Sequence, residues 1–203
     1  MKRWLAVAVL VLLATVLVLA AHDALSWRSA LRRGDHRLAT APASARWRAA
    51  PLLPGDPART LLALGDDLAL RRAVRAFLVA EATPYGFDNG VNQTRVRSGA
   101  EIVLSDLAAN GKAAHASQAG DLLGVLVANA GRVTGGITAD DRARSAFEAA
   151  VRRDPSNTDA KYNLELLLRR TKATTTRQGP GSGSGALAHG RRGAGAGTPG
   201  KGY

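Results

Sequence analysis

The 203-residue chain has no cysteine, which removes disulfides, thiolate metal sites and cysteine nucleophiles from consideration. Histidine is scarce: His22, His36, His115 and His189 stand far apart, with no H-x-x-x-H pair to hold a metal. Aromatic residues make up 4% of the chain, thin for a protein that stacks nucleobases or sugars. Acidic residues stop at Glu165, so the net charge of +12 is unevenly spread. Residues 1–59 carry 9 basic and 3 acidic side chains, 60–165 carry 12 and 13, and 166–203 carry 7 and none. A basic nucleic-acid-binding domain carries its charge on the folded part. Here the middle is nearly neutral and the flanks are basic, so nucleic acid is not an expected partner. Period-two alternation is also lacking, and Gly99–Leu104 is the one segment with any strand-like reading.

What the sequence does have begins at its start. Trp4 to Ala21 is a run of 18 apolar or small residues interrupted in polarity only by Thr15, and Lys2 and Arg3 precede it. As a helix it would rise about 1.5 Å per residue and reach across a hydrocarbon core. Residues 1–23 are therefore expected to form a transmembrane anchor. Val18-Leu19-Ala20 offers a small-residue cleavage site, but the run is longer than the apolar core of a signal peptide, which favours retention. Lys2 and Arg3 place the N-terminus in the cytoplasm, while Arg28, Arg32, Arg33 and Arg37 pull the other way. The N-terminal position of the segment decides for a body outside, in a single-pass protein of the cell membrane.

Residues 24–55, rich in Arg, Pro and Ala, read as a linker, whose start at Ala24–Arg33 can continue as an interfacial helix with Leu25 and Leu31 dipping and Arg28, Arg32 and Arg33 reaching the headgroups. Trp27 and Trp47 suit a membrane interface, with partial burial the plainer reading of Trp47. A helical domain is expected over 56–172. Asp56-Pro57 is a start signal, and Leu61, Leu64, Leu68, Ala73, Phe77 and Leu78 keep helical spacing, with Gly65 as a break. Pro84–Gly90 is a turn cluster, followed by a helix over about 92–109 burying Val96, Ala100, Val103 or Leu104, and Leu107, and ended by Asn110-Gly111. A helix over 112–129 closes on Leu122, Leu123, Leu126 and Val127, and Gly131, Gly135 and Gly136 suggest a flexible loop. Helices from Thr138 or Asp140 to Arg153 and from Thr158 to Thr171 complete the domain. Residues 173–203 contain too little apolar surface to offset their ordering entropy and are expected to be a disordered basic tail.

One motif carries more information. Ala143-x3-Phe147-x2-Ala150-x4-Pro155 has the spacing of a tetratricopeptide second helix and the proline after it. Small residues let two helices approach, Phe147 fills the gap, and Pro155 ends the helix. Ala160, Leu164 and Leu168 continue the pattern into the next first helix, although Glu165 replaces its usual small residue and Leu168 stands where it expects an aromatic. Leu123-Gly124 is similar to the Leu-Gly pair of a first helix, and Ala73-x3-Phe77-x2-Ala80 echoes the motif upstream. With the N-terminal apolar segment, the repeat Ala160–Arg170 and a Gly-rich tail, the layout resembles the tetratricopeptide membrane proteins of Bat-type (aerotolerance) operons, actinobacterial type. The specific part of that resemblance covers residues 120–171.

The resemblance implies an all-α repeat body and a non-catalytic scaffold or adaptor role. The implied partner is a protein peptide or helix, within a membrane assembly of MoxR-type ATPase and von Willebrand A-domain proteins. Lys161, Tyr162 and Asn163 are the candidate peptide contacts. No cofactor, metal or catalytic residue is expected. The rival readings are a membrane-anchored hydrolase and an RNA or anionic-polymer binder. The first would use His115 with Gln118 and Asp121, or the pairs Asp66-Asp67 and Asp140-Asp141. The second would use the tail around Arg191-Arg192. Asp66-Asp67 and Asp140-Asp141 suit helix starts, a lone exposed histidine is the plainer reading of His115, and Asn92-Gln93-Thr94 fits an N-cap better than a glycosylation site.

Overall fold

The computed structural model describes residues 2–83, 90–134 and 137–177. The turn cluster at 84–89, Gly135, Gly136 and the tail beyond 177 lie outside the described residues. Among the described residues there are α-helices and one short 3-10 turn, and no strand. The helices are α1 (Lys2–Thr40), α2 (Pro57–Leu61), α3 (Leu64–Ala82), α4 (Gly90–Asn110), α5 (Ala113–Thr134), α6 (Ile137–Arg153) and α7 (Thr158–Arg177). Gly99–Leu104 lies inside α4, where Ala100, Leu104 and Leu107 are buried at helical spacing.

Helix α1 has two halves with different surroundings. From Lys2 to Val18 every residue is exposed, and the helix is long and apolar enough to cross a membrane. From Asp23 onward one face is buried, at Asp23, Trp27, Ala30 and Gly34. The helix therefore does not end at residue 23. No proline occurs before Pro42, and the intervening Ala, Leu and Arg residues are good helix formers.

The linker expected over 24–55 is instead tied to the body: its first part continues α1, and the rest is held against that helix. After the 3-10 turn at Pro42–Ser44, Ala45 and Trp47 join Trp27, Ala30, Ala58, Leu64 and Leu68 in one hydrophobic cluster. Prolines deprive this strap of regular backbone bonding, and carboxylates from α1 supply the missing partners. Asp23 accepts from the backbone N–H groups of Leu52 and Leu53, at 2.7 and 3.0 Å. Asp35 accepts from the Trp47 indole at 2.8 Å and from Arg71 at 2.9 Å. Trp27, expected at a membrane interface, is instead buried and donates to Asp56 at 2.8 Å. Trp47 lies across Gly34, where a Cβ would come within 2.3 Å of the indole.

Asp56 opens α2 as its N-cap, accepting from the Arg59 N–H, and Pro57 follows in the first turn. The break before α3 falls at Leu62-Ala63, with Ala63 at φ 50°, and Gly65 is already inside the helix. Asn92 is likewise inside α4 and caps nothing, because the helix opens at Gly90. Gly111 ends the next turn, where a Cβ would lie 2.6 Å from the Leu107 carbonyl oxygen. Gly131, read as loop, is a buried residue of α5. Helix α7 continues through Arg177, beyond the boundary expected at 172.

The helices pack in sequence order, α3 on α4, α4 on α5, α5 on α6 and α6 on α7. Two further contacts skip one helix, α3 with α5 and α5 with α7. Helix α3 thus touches both α4 and α5. Ala73 and Ala80 are buried in a cluster with Ala100, Leu104, Leu107, Ala119 and Leu126.

Candidate functional site

The closest helix pair is α5 with α6, and small residues on both sides are the reason. Gly120 faces Ala150, where an added Cβ would come within 3.2 Å of the alanine methyl. Gly124 lies under the ring of Phe147, where a Cβ would come within 2.5 Å. Ala143 and Ala150 are fully buried on the same face, and Phe147 is 2% exposed. Leu123 is half-buried beside them. Ser117 adds a polar tie, donating to the Ala150 carbonyl oxygen at 2.8 Å.

The turn into α7 is built from its own side chains. Pro155 is exposed, and Asp154 accepts from the Ser156 N–H and hydroxyl. Asn157 caps α7 by accepting from the Ala160 N–H at 3.1 Å, and its amide donates to Ser117 at 2.8 Å. Helix α7 then buries Ala160 and Leu167 and half-buries Leu164. Leu168, expected to pack, is 44% exposed. It lies one residue, about 100° of helix, beyond Leu167 and so faces away from α5 and α6.

Between α5, α6 and α7 runs a groove lined by Val125, Ala128, Asn129, Phe147, Asn163 and Leu167, with Arg132, Leu166 and Arg170 also on its walls. Its floor is apolar, and its walls carry amide and guanidinium groups. Arg170 is held by an ion pair with Asp140 across the α6–α7 contact. Of the three candidate peptide contacts, only Asn163 lines the groove, and its amide donates to Asp121 at 2.9 Å. Lys161 and Tyr162 are exposed on α7 and do not line it. Val125, Asn129 and Arg132 escaped the sequence reading. Their spacing of four and three residues on α5, matched by Asn163, Leu166, Leu167 and Arg170 on α7, was the available signal.

The His and carboxylate candidates do not converge. His115 is half-buried rather than exposed, and its Nε2 lies 3.6 Å from Asp67, while Gln118 is exposed and Asp121 faces Asn163. Asp66 pairs with Lys112 at 2.7 Å, which holds its carboxyl below the usual range. Asp67 pairs with Arg71 at 3.6 Å. Asp140 is taken by Arg170, and Asp141 is exposed.

Asp121, 8% exposed, has surroundings that push its pKa up. Burial is the main cause, the Asn163 hydrogen bond opposes it, and the nearby Asp159 charge adds to it. The native protein therefore binds this proton more readily than the unfolded chain does. The penalty for keeping Asp121 charged is fully present above its native pKa, and it is relieved as the pH falls through that value. Asp121→Asn should accordingly raise the thermal midpoint at neutral pH, and the gap to wild type should close as the pH is lowered. Melts of both proteins across the acidic range test this. A gap independent of pH would show that the carboxyl titrates normally.

No family model, curated protein or solved structure matches this chain at a significant level.

Proposed function

We propose that the chain is a membrane-tethered scaffold or adaptor, non-catalytic, which holds a partner's peptide or helix in the groove between α5, α6 and α7. The observation that carries this reading is the continuity of α1. Its bare apolar half and its packed half are one helix, so the body is fastened to the anchor without an intervening joint. The groove supports the second half of the reading, since an apolar floor with polar walls suits an amphipathic segment. The order of packing, with α3 on α5 and α5 on α7, and the seating of Phe147 on Gly124 support tetratricopeptide-like helices. The resemblance in layout to Bat-type proteins names the partners as A-domain and MoxR-type ATPase proteins of a membrane complex. The anchor is retained, in the cell membrane, with the body outside.

Two measurements test this. Carbonate extraction should leave the full-length protein in the membrane pellet, and N-terminal sequencing should begin at residue 1 or 2. A mature chain starting near Ala21 would make the segment a cleaved signal. A photo-crosslinking residue at Leu166, on the groove, should capture an A-domain protein from membranes. The same residue at Ile102, exposed on α4 away from the groove, should not. Equal capture from both positions would remove the groove as the binding site.

A further inference from the structure

The strap between α1 and α2 descends along α1 and turns back, and its hydrogen bonds fix how far down it reaches. Trp47 is level with Asp35, and the Ala50 N–H donates to the Ser26 hydroxyl at 3.3 Å. Leu52 and Leu53 are level with Asp23, and Asp56 is back up at Trp27. The lowest point of the loop is thus Pro51-Leu52-Leu53-Pro54. It lies beside the second residue after the apolar run, about 3 Å of helix rise beyond Ala21.

The chemistry of this tip suits a layer poorer in water than the solvent. Leu52 is 58% exposed, and Pro51 and Pro54 are exposed. Proline has no N–H. The N–H groups of Leu52 and Leu53, the only two in the tetrapeptide, are both taken by the Asp23 carboxylate. No backbone donor at the tip therefore needs water, which removes part of the cost of placing irregular backbone at a lipid surface. Asp23 itself is fully buried under the strap.

We propose that the 51–54 tip is a second membrane contact that inserts into the interfacial layer of the bilayer beside the anchor. One helix crossing a bilayer leaves the body free to rotate about the helix axis. An apolar wedge to one side sets that rotation, and with it the direction in which the groove faces. This inference rests on the reading of Trp4–Ala21 as a membrane span.

The absence of cysteine makes the test direct, because one introduced cysteine gives one spin label. Leu12→Cys, Leu52→Cys and Ile102→Cys are all exposed sites, so labelling them should leave the fold intact, as circular dichroism would verify. The full chain is reconstituted in phosphatidylcholine–phosphatidylglycerol bilayers, and collision of each label with oxygen and with a water-soluble nickel chelate is measured. The oxygen-to-nickel ratio at 52 should be several-fold higher than at 102 and lower than at 12, which sits at the middle of the span. A ratio at 52 equal to that at 102, with 12 still in lipid, would overturn the wedge and leave the anchor standing. Water-like values at 12 as well as 52 would overturn the spanning segment and the wedge together.

Discussion

Replacing Phe147 with alanine should lower the unfolding free energy by about 3–5 kcal/mol, the range for a large aromatic removed from a core. The side chain is 2% exposed, and its ring rests on Gly124 of α5 in a cluster with Val127, Ala143 and Leu167. Collapse into the gap is limited, because Gly124, Ala143 and Ala150 already hold α5 and α6 in close approach. Domains of this size hold only about 5–15 kcal/mol in total, so the variant should unfold at a much lower denaturant concentration. The reciprocal change, Gly124→Ala, places a methyl inside the ring's volume and should also destabilise, by about 1–3 kcal/mol as overpacking does. Because the two positions touch, combining them should cost less than the sum of the single changes. Urea titration of the three variants decides the matter. A loss below about 0.5 kcal/mol for Phe147→Ala, the range of surface substitutions, would mean that α5 and α6 do not pack as described.

Trp47→Ala should have an effect of similar size but of different reach. The indole is 7% exposed, lies across Gly34 and donates to Asp35. Its removal should cost about 3–5 kcal/mol at that site and leave Asp35 with Arg71 as its remaining partner. The cluster around Trp47 contains residues of α1, the strap, α2 and the start of α3, and none of α4 to α7. The strap should therefore come away while the helices from α4 onward stay folded. Trypsin offers a local readout, since Arg46 and Arg48 are exposed on the strap. Cleavage there should be slow in the wild type and fast in the variant, with the fragment containing α5 to α7 surviving. Equal cleavage rates would show that Trp47 does not hold the strap.

The reach of sequence reasoning differed between these two regions for a physical reason. The span Trp4–Ala21, the stop at Asn110-Gly111, the cap at Asp56-Pro57 and the helices that became α4 to α7 follow from hydropathy, periodicity and turn chemistry. All of these act within a few residues. The burial of Ala143, Phe147, Ala150 and Ala160 was legible for the same reason, since side-chain spacing on one helix selects the face that must find a partner. The limits of locality appear at Leu168, whose face has no helix beside it, and at Lys161 and Tyr162, which share α7 with Asn163 but point elsewhere.

The strap marks the other case. Its Pro- and Arg-rich composition gives no periodic signal, and it reads as a spacer when each residue is judged by its neighbours. What docks it is a set of hydrogen bonds to carboxylates far away in the chain: Asp23 with Leu52 and Leu53, Asp35 with Trp47, and Asp56 with Trp27. Each needs two surfaces to have met already, and no local preference encodes that meeting. The groove is the same kind of object, since Val125 and Asn129 line it only because α7 crosses α5 where it does. Local chemistry was enough to specify an all-helical chain with an apolar N-terminal span. Tertiary packing alone decided that the strap docks along α1, because the contacts that hold it there join residues too far apart in the chain for any local rule to relate them.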